Sequence, residues 1–129
     1  MGTSDSRDLV VLVVEDVDDT REVMRLALEE RGYRVLEAEN GEHAVEVALA
    51  EHPDVILMDL SLPVLDGLEA TERIRQHKEF ATTPIVAVTA HQEIDLRADA
   101  QASGFTAYVT KPIDFNWLHD LLNELVALE

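Results

Sequence analysis

Apolar residues recur along the chain in short blocks separated by segments of helical spacing. Leu9–Val14, Arg34–Ala38, Val55–Met58, Ile85–Val88 and Thr106–Val109 predict five strands. The first, third and fourth are continuously apolar and rich in Val and Ile, the pattern of parallel strands covered on both faces. Val23, Met24, Ala27 and Leu28 predict a helix from Asp19 to Arg31, with Asp19 and Glu22 as a capping box and Gly32 as its stop. Ala44, Val47 and Ala48 predict a second helix ended by Pro53, and Leu68 and Ile74 a third after the turn Leu65-Asp66-Gly67. Ile94, Ala98 and Ala102 form a thin fourth stripe closed by Gly104, and Phe115, Leu118, Leu122 and Leu125 a strong fifth.

Strict strand–helix alternation implies an α/β, doubly wound domain: a five-stranded parallel sheet of order 2-1-3-4-5 with helices on both faces. The 129 residues suit one such domain, over 9–129, with residues 1–8 as a loose polar tail. Ligands of this architecture bind beyond the carboxyl ends of the strands, beside the first and third.

Charge narrows the possible functions. Lys and Arg number 10 against 27 Asp and Glu, a formal net charge of −17, which repels nucleic-acid backbones and anionic lipid. There is no cysteine, so disulfides, thiolate catalysis and cysteine metal sites are excluded. The apolar run Leu9–Val14 is far too short to span a bilayer, and no cationic, apolar leader precedes it. A cytoplasmic protein with no nucleic-acid or membrane partner is expected.

The strand ends carry the chemistry. Glu15 and Asp16 follow the first strand, Asp59 the third, Thr89 the fourth, and Lys111-Pro112 the fifth. Converging carboxylates repel one another and call for a cation, and an all-oxygen set that shares phosphate oxygens suits magnesium. Asp59, ringed by a metal, an ammonium and a hydroxyl, is placed to accept a phosphoryl group as nucleophile. Asp18 and Asp19 read instead as acidic residues at a helix N-terminus. The five histidines, His43, His52, His77, His91 and His119, show no metal-ligand spacing and read as surface residues, and Trp117 as packing or interface.

Glu15-Asp16, Asp59 within Ile56-Leu57-Met58-Asp59-Leu60-Ser61-Leu62-Pro63, Asp66-Gly67, Thr89-Ala90 and Lys111-Pro112 together resemble the response-regulator receiver domains of two-component and phosphorelay signalling, chemotaxis-regulator-like proteins of flavodoxin-like fold. The resemblance runs from about Leu9 to Leu128. It implies phosphotransfer from the phosphohistidine of a sensor histidine kinase or histidine phosphotransfer protein to Asp59. Asp16, Asp59 and the Ser61 backbone carbonyl would hold Mg2+, with Glu15 acting through water. Thr89 and Lys111 would bind phosphoryl oxygens, and Tyr108 sits where the family carries its switch aromatic. Ser61 and His91 occupy positions that affect acyl-phosphate lifetime, and Lys111-Pro112 is expected to be cis.

Switching is expected at the face formed by the fourth predicted helix, the fifth strand and the last helix, toward an unidentified downstream protein. No Lys or Arg occurs from Pro112 to Glu129, and Arg97 is the one basic residue on the fourth predicted helix. A monomer or weak dimer is therefore expected, rather than the dimer that winged-helix transcription factors form through this face. With no effector motif after the last helix, the chain reads as a stand-alone receiver or as part of a longer protein. It should catalyse only its own phosphorylation and dephosphorylation.

Two rivals stand beside this reading. Asp16-Val17-Asp18-Asp19-Thr20 contains the D-x-D-x-T pattern of haloacid-dehalogenase-like phosphatases, with Asp16 as nucleophile and Asp18 as acid. That alternative lacks a later acidic metal motif and leaves Asp59 without a role. The other is a phosphorylation-independent binding module.

Overall fold

The computed structural model describes residues 9–60, 62, 66–89 and 104–127. Five strands, β1 (Val10–Val14), β2 (Arg34–Ala38), β3 (Val55–Asp59), β4 (Ile85–Thr89) and β5 (Ala107–Thr110), form one sheet of order β2-β1-β3-β4-β5. Every pairing is parallel. Four helices accompany them among the described residues: α1 (Asp18–Glu30), α2 (Gly41–Glu51), α3 (Gly67–Arg75) and α4 (Phe115–Ala127), with a 3-10 turn at Lys78–Phe80. The fourth predicted helix, over Ile94–Ala102, lies outside the described residues.

Side-chain alternation divides the core in two. Leu12, Val14, Ile56, Met58, Ile85 and Ala87 face α2 and α3, where Ala44, Ala48, Ala70 and Ile74 meet them. Val11, Val13, Val55, Leu57, Val86, Val88 and Val109 face the other way, against Met24 and Leu28 of α1 and Leu118 and Leu122 of α4. Burial on both faces explains why β1, β3 and β4 are apolar up to Asp59 and Thr89 at the ends of the latter two.

Three expectations need correction. No capping box forms at Asp19: the N-cap of α1 is Val17, in extended conformation and with no side-chain cap bond. Asp18 and Asp19 lie inside the first turn, where they favour the helix dipole without capping it. Strand β5 runs one residue later than expected, over Ala107–Thr110; Thr106 stands just before it, where its N–H donates to Ile85 O at 2.8 Å while its hydroxyl, in place of its carbonyl, accepts the Ile85 N–H at 3.1 Å. Of the four histidines described, His52 is exposed and stacks on Phe80, while His43, His77 and His119 are half-buried. Burial of His119 follows from Tyr33, whose hydroxyl lies 2.9 Å from His119 Nδ1 and so draws the ring onto the core.

The helix stops follow local rules. Gly32, with φ of 95°, ends α1: its N–H donates to Glu29 O at 3.0 Å and the Tyr33 N–H to Leu28 O at 3.2 Å, a Schellman motif. Helix α2 begins at Asn40, which accepts the His43 N–H at 2.8 Å, and ends at His52, with φ of 51°.

Candidate functional site

The strand register brings the acidic residues together. Val14 pairs with Met58, so the residues that follow, Glu15 and Asp59, leave the sheet side by side. Side-chain oxygens of Glu15, Asp16 and Asp59 lie within 4.8 Å of one another, an arrangement that could hold a metal ion. Glu15 and Asp59 are buried and Asp16 is exposed, so the pocket opens to solvent on the Asp16 side.

Lys111 closes the other side. Its Nζ lies 3.0 Å from Asp59 Oδ2 and 3.4 Å from Glu15 Oε1. Its backbone N–H donates to Thr89 O at 2.9 Å, and the Lys111–Pro112 peptide is cis, as expected. Thr89 is buried at the end of β4, one residue beyond Val88, which pairs with Asp59.

Electrostatics follow from this crowding. Burial, then a hydrogen bond to Asp59, pushes the Glu15 carboxyl up to about 7, against the Val17 N–H and the Lys111 charge, which favour its ionised form. Burial alone would lower Lys111, but the bond to Asp59 and the two carboxylate charges outweigh it and hold the ammonium above the usual lysine range. Hard oxygens only, partly neutralised and open on one side, fit a magnesium ion that keeps several waters and shares phosphate oxygens.

The glycine of Asp66-Gly67 belongs to the same site. Asp66 caps α3 by accepting the Glu69 N–H at 2.9 Å, and Gly67 then packs directly on the backbone of Asp59 and Leu60. Tyr108 lies half-buried on β5, opposite Ala87, and shares a cavity of about 450 Å3 with Trp117, which is 52% exposed. Ser61 and His91 lie outside the described residues.

Sequence reasoning missed Arg21. Its guanidinium donates to the Glu15 carbonyl at 2.8 Å, to Asp18 at 2.6 Å and to Glu37 at 3.1 Å. The one sequence signal was a lone basic residue closely following an acidic run. Also unforeseen was an apolar groove beside Lys111, about 260 Å3, lined by Thr20, Val23 and Met24 of α1 and by Pro112, Ile113 and Phe115.

The arrangement does not favour the phosphatase alternative. Asp16, its nucleophile, is exposed, whereas Asp59 is buried against an ammonium. No described helix is long and apolar enough to cross a membrane.

Comparison with known proteins agrees with this geometry. The response regulator receiver domain family matches residues 11–123. Protein PilH of Pseudomonas aeruginosa is 33% identical over 91% of this chain and 97% of its own length. Regulatory protein AtoC of Escherichia coli is 32% identical over 92% of this chain, which spans 25% of that relative. Among solved structures, the receiver domain of sensor histidine kinase PA1611 from Pseudomonas aeruginosa has magnesium coordinated in its active-site cleft. It is 34% identical, with a TM-score of 0.86 over 92% of this chain and 98% of that one.

Proposed function

The chain belongs to the response regulator receiver domain family, a signalling module and not a conventional enzyme, and from that premise we propose that Asp59 is its phosphoacceptor. The donor is the phosphohistidine of a sensor histidine kinase or histidine phosphotransfer protein. A carboxylate oxygen of Asp59 attacks phosphorus, the phosphorus–nitrogen bond breaks, and the imidazole leaves with the electron pair, giving an acyl phosphate. The observation that carries this reading is the buried Asp59 carboxylate held 3.0 Å from the Lys111 ammonium in the acidic pocket.

Lys111 passes from Asp59 to a phosphoryl oxygen as the charge moves outward, and the Thr89 hydroxyl donates to another. Glu15, Asp16 and Asp59, with the Ser61 carbonyl, are the residues that would hold Mg2+. When bound, that ion supplies positive charge against the phosphoryl oxygens. The presence of magnesium in the PA1611 receiver supports this assignment. Hydrolysis of the acyl phosphate is the protein's own, with Ser61 and His91 tuning its lifetime.

Phosphorylation shifts a pre-existing equilibrium through Thr89 and Tyr108 toward the surface of β5 and α4, where a downstream protein binds. Residues 9–129 form the receiver and 1–8 a tail; the protein acts in the cytoplasm as a monomer or weak dimer. Intact mass after incubation with a small phosphodonor tests the reading. One phosphoryl group is gained by the wild type and none by Asp59→Asn.

A further inference from the structure

We propose that Arg21 is a positioning residue for the metal-binding carboxylates, fixing the backbone of the turn that carries Asp16 and thereby setting the affinity of the pocket for a divalent cation. This rests on the receiver reading above.

Asp16 is exposed, so its carboxylate is placed by the peptides on either side and not by packing around it. Among the described residues, four hydrogen bonds hold the backbone from Glu15 to Val17. The Glu15 N–H donates to Ala38 O at 3.1 Å, and the Val17 N–H to Glu15 Oε2 at 3.1 Å. The remaining two involve Arg21: its Nη1 donates to the Glu15 carbonyl at 2.8 Å, and its backbone N–H to the Val17 carbonyl at 2.9 Å. The Val17 bond is the ordinary i to i−4 bond of α1, which any residue at this position makes, so the side chain's own hold on the turn is the Nη1 bond to the carbonyl immediately before Asp16.

The guanidinium is itself aimed. Asp18 takes Nη2 at 2.6 Å and Glu37 takes Nε at 3.1 Å, and the side chain is 15% exposed. Three acceptors in three directions require a planar fork, which a lysine ammonium does not reproduce. Cohesion between α1 and β2 does not depend on Arg21 alone, because Arg25 also pairs with Glu37, at 3.2 Å. Among the described residues Arg25 pairs with Glu22, Glu29 and Glu37, whereas the Glu15 carbonyl is bonded by Arg21.

Electrostatics and positioning predict opposite signs. A cation beside three carboxylates repels an incoming cation, so deleting Arg21 would tighten metal binding if its charge governed. If its grip on the turn governs, deletion weakens binding, because the Asp16 ligand then samples orientations that bind poorly.

Calorimetric titration of the full chain with Mg2+ separates these, with urea unfolding in parallel and phosphorylation rates measured against Mg2+ concentration. Arg21→Ala is expected to raise the Mg2+ Kd about tenfold, and Arg21→Lys to raise it at least about twofold. Saturating Mg2+ restores the phosphorylation rate to within about twofold of wild type, the mark of a defect in metal affinity and not in chemistry. Glu37→Gln lowers stability while its Kd stays within about twofold. An unchanged or tighter Kd in Arg21→Lys overturns the proposal, and that variant decides alone if Arg21→Ala does not fold. A wild-type protein that binds no Mg2+ overturns the receiver reading itself, an outcome distinct from variants that match a binding wild type.

Discussion

Gly67 packs on Asp59 so closely that a β-carbon at that position would run into the Asp59 carbonyl oxygen and lie 3.0 Å from Leu60 Cα. The obstructing atoms are backbone, which does not swing aside as a flexible side chain would. Gly67→Ala is therefore expected to cost about 1–3 kcal/mol, as overpacking does elsewhere. It should also displace Asp59 from Lys111. Urea unfolding measures the first effect and phosphorylation rate the second. A variant as stable and as reactive as wild type would mean that α3 yields easily.

Glu15 makes metal binding depend on pH. Its folded pKa of about 7 exceeds its reference value of 4.5, so between these values the folded state holds more protons than the unfolded state. Metal-free stability therefore falls as pH rises from 4.5 to about 7, and Glu15→Gln flattens that slope. Magnesium must displace the same proton, so its Kd should be about tenfold weaker near pH 6 than near pH 8, with proton release on binding. A pH-independent Kd over that range would contradict a proton held on Glu15.

The groove beside Lys111 offers a route for the donor protein. Val23, which lines the groove with Lys111, is 57% exposed, and Leu26, three residues on along α1, is 51% exposed, which extends the apolar surface away from it. Val23→Asp should slow phosphotransfer from a histidine-phosphorylated donor domain by about tenfold, the effect of losing an interface anchor. Transfer from a small phosphodonor should be unaffected. Equal rates from both donors would place docking elsewhere.

Tyr108 and Trp117 line one cavity, and Trp117 is the single tryptophan. On the proposed switching route a turn of Tyr108 would change the surroundings of the indole, so phosphorylation should shift its emission. Tyr108→Ala should abolish the shift while the phosphorylated mass is retained. A full shift in that variant would remove Tyr108 from the switching route.

The parts of the fold legible in the sequence are those governed by local or repeating physics. Double burial leaves β1, β3 and β4 apolar up to the polar residues at their carboxyl ends, and for five alternating strand–helix units the most common order is the observed 2-1-3-4-5. Glu15 and Asp59 were legible because each directly follows an apolar run, and Asp16 because it adjoins Glu15. The α1 N-terminus was misread because Asp19 with Glu22 satisfies a capping pattern, whereas Asp18 engages Arg21 and Val17 takes the cap. The hold of Arg21 on the Glu15 carbonyl showed in the sequence only as a lone basic residue after an acidic run, since a bond from a side chain to a backbone oxygen places no demand on the identity of its acceptor residue. Lys111 was expected beside the phosphoryl group, but its direct pairing with Asp59 and Glu15 depends on the register of β4 and β5, which spacing does not reveal.

Intact mass of the protein incubated with a small phosphodonor, with and without magnesium, tests the central claim most directly. The wild type should gain one phosphoryl group only when magnesium is present, and Asp59→Asn should gain none. A gain that survives in Asp59→Asn but is lost in Asp16→Asn would contradict Asp59 as phosphoacceptor, and no gain in any form would contradict phosphoacceptance altogether.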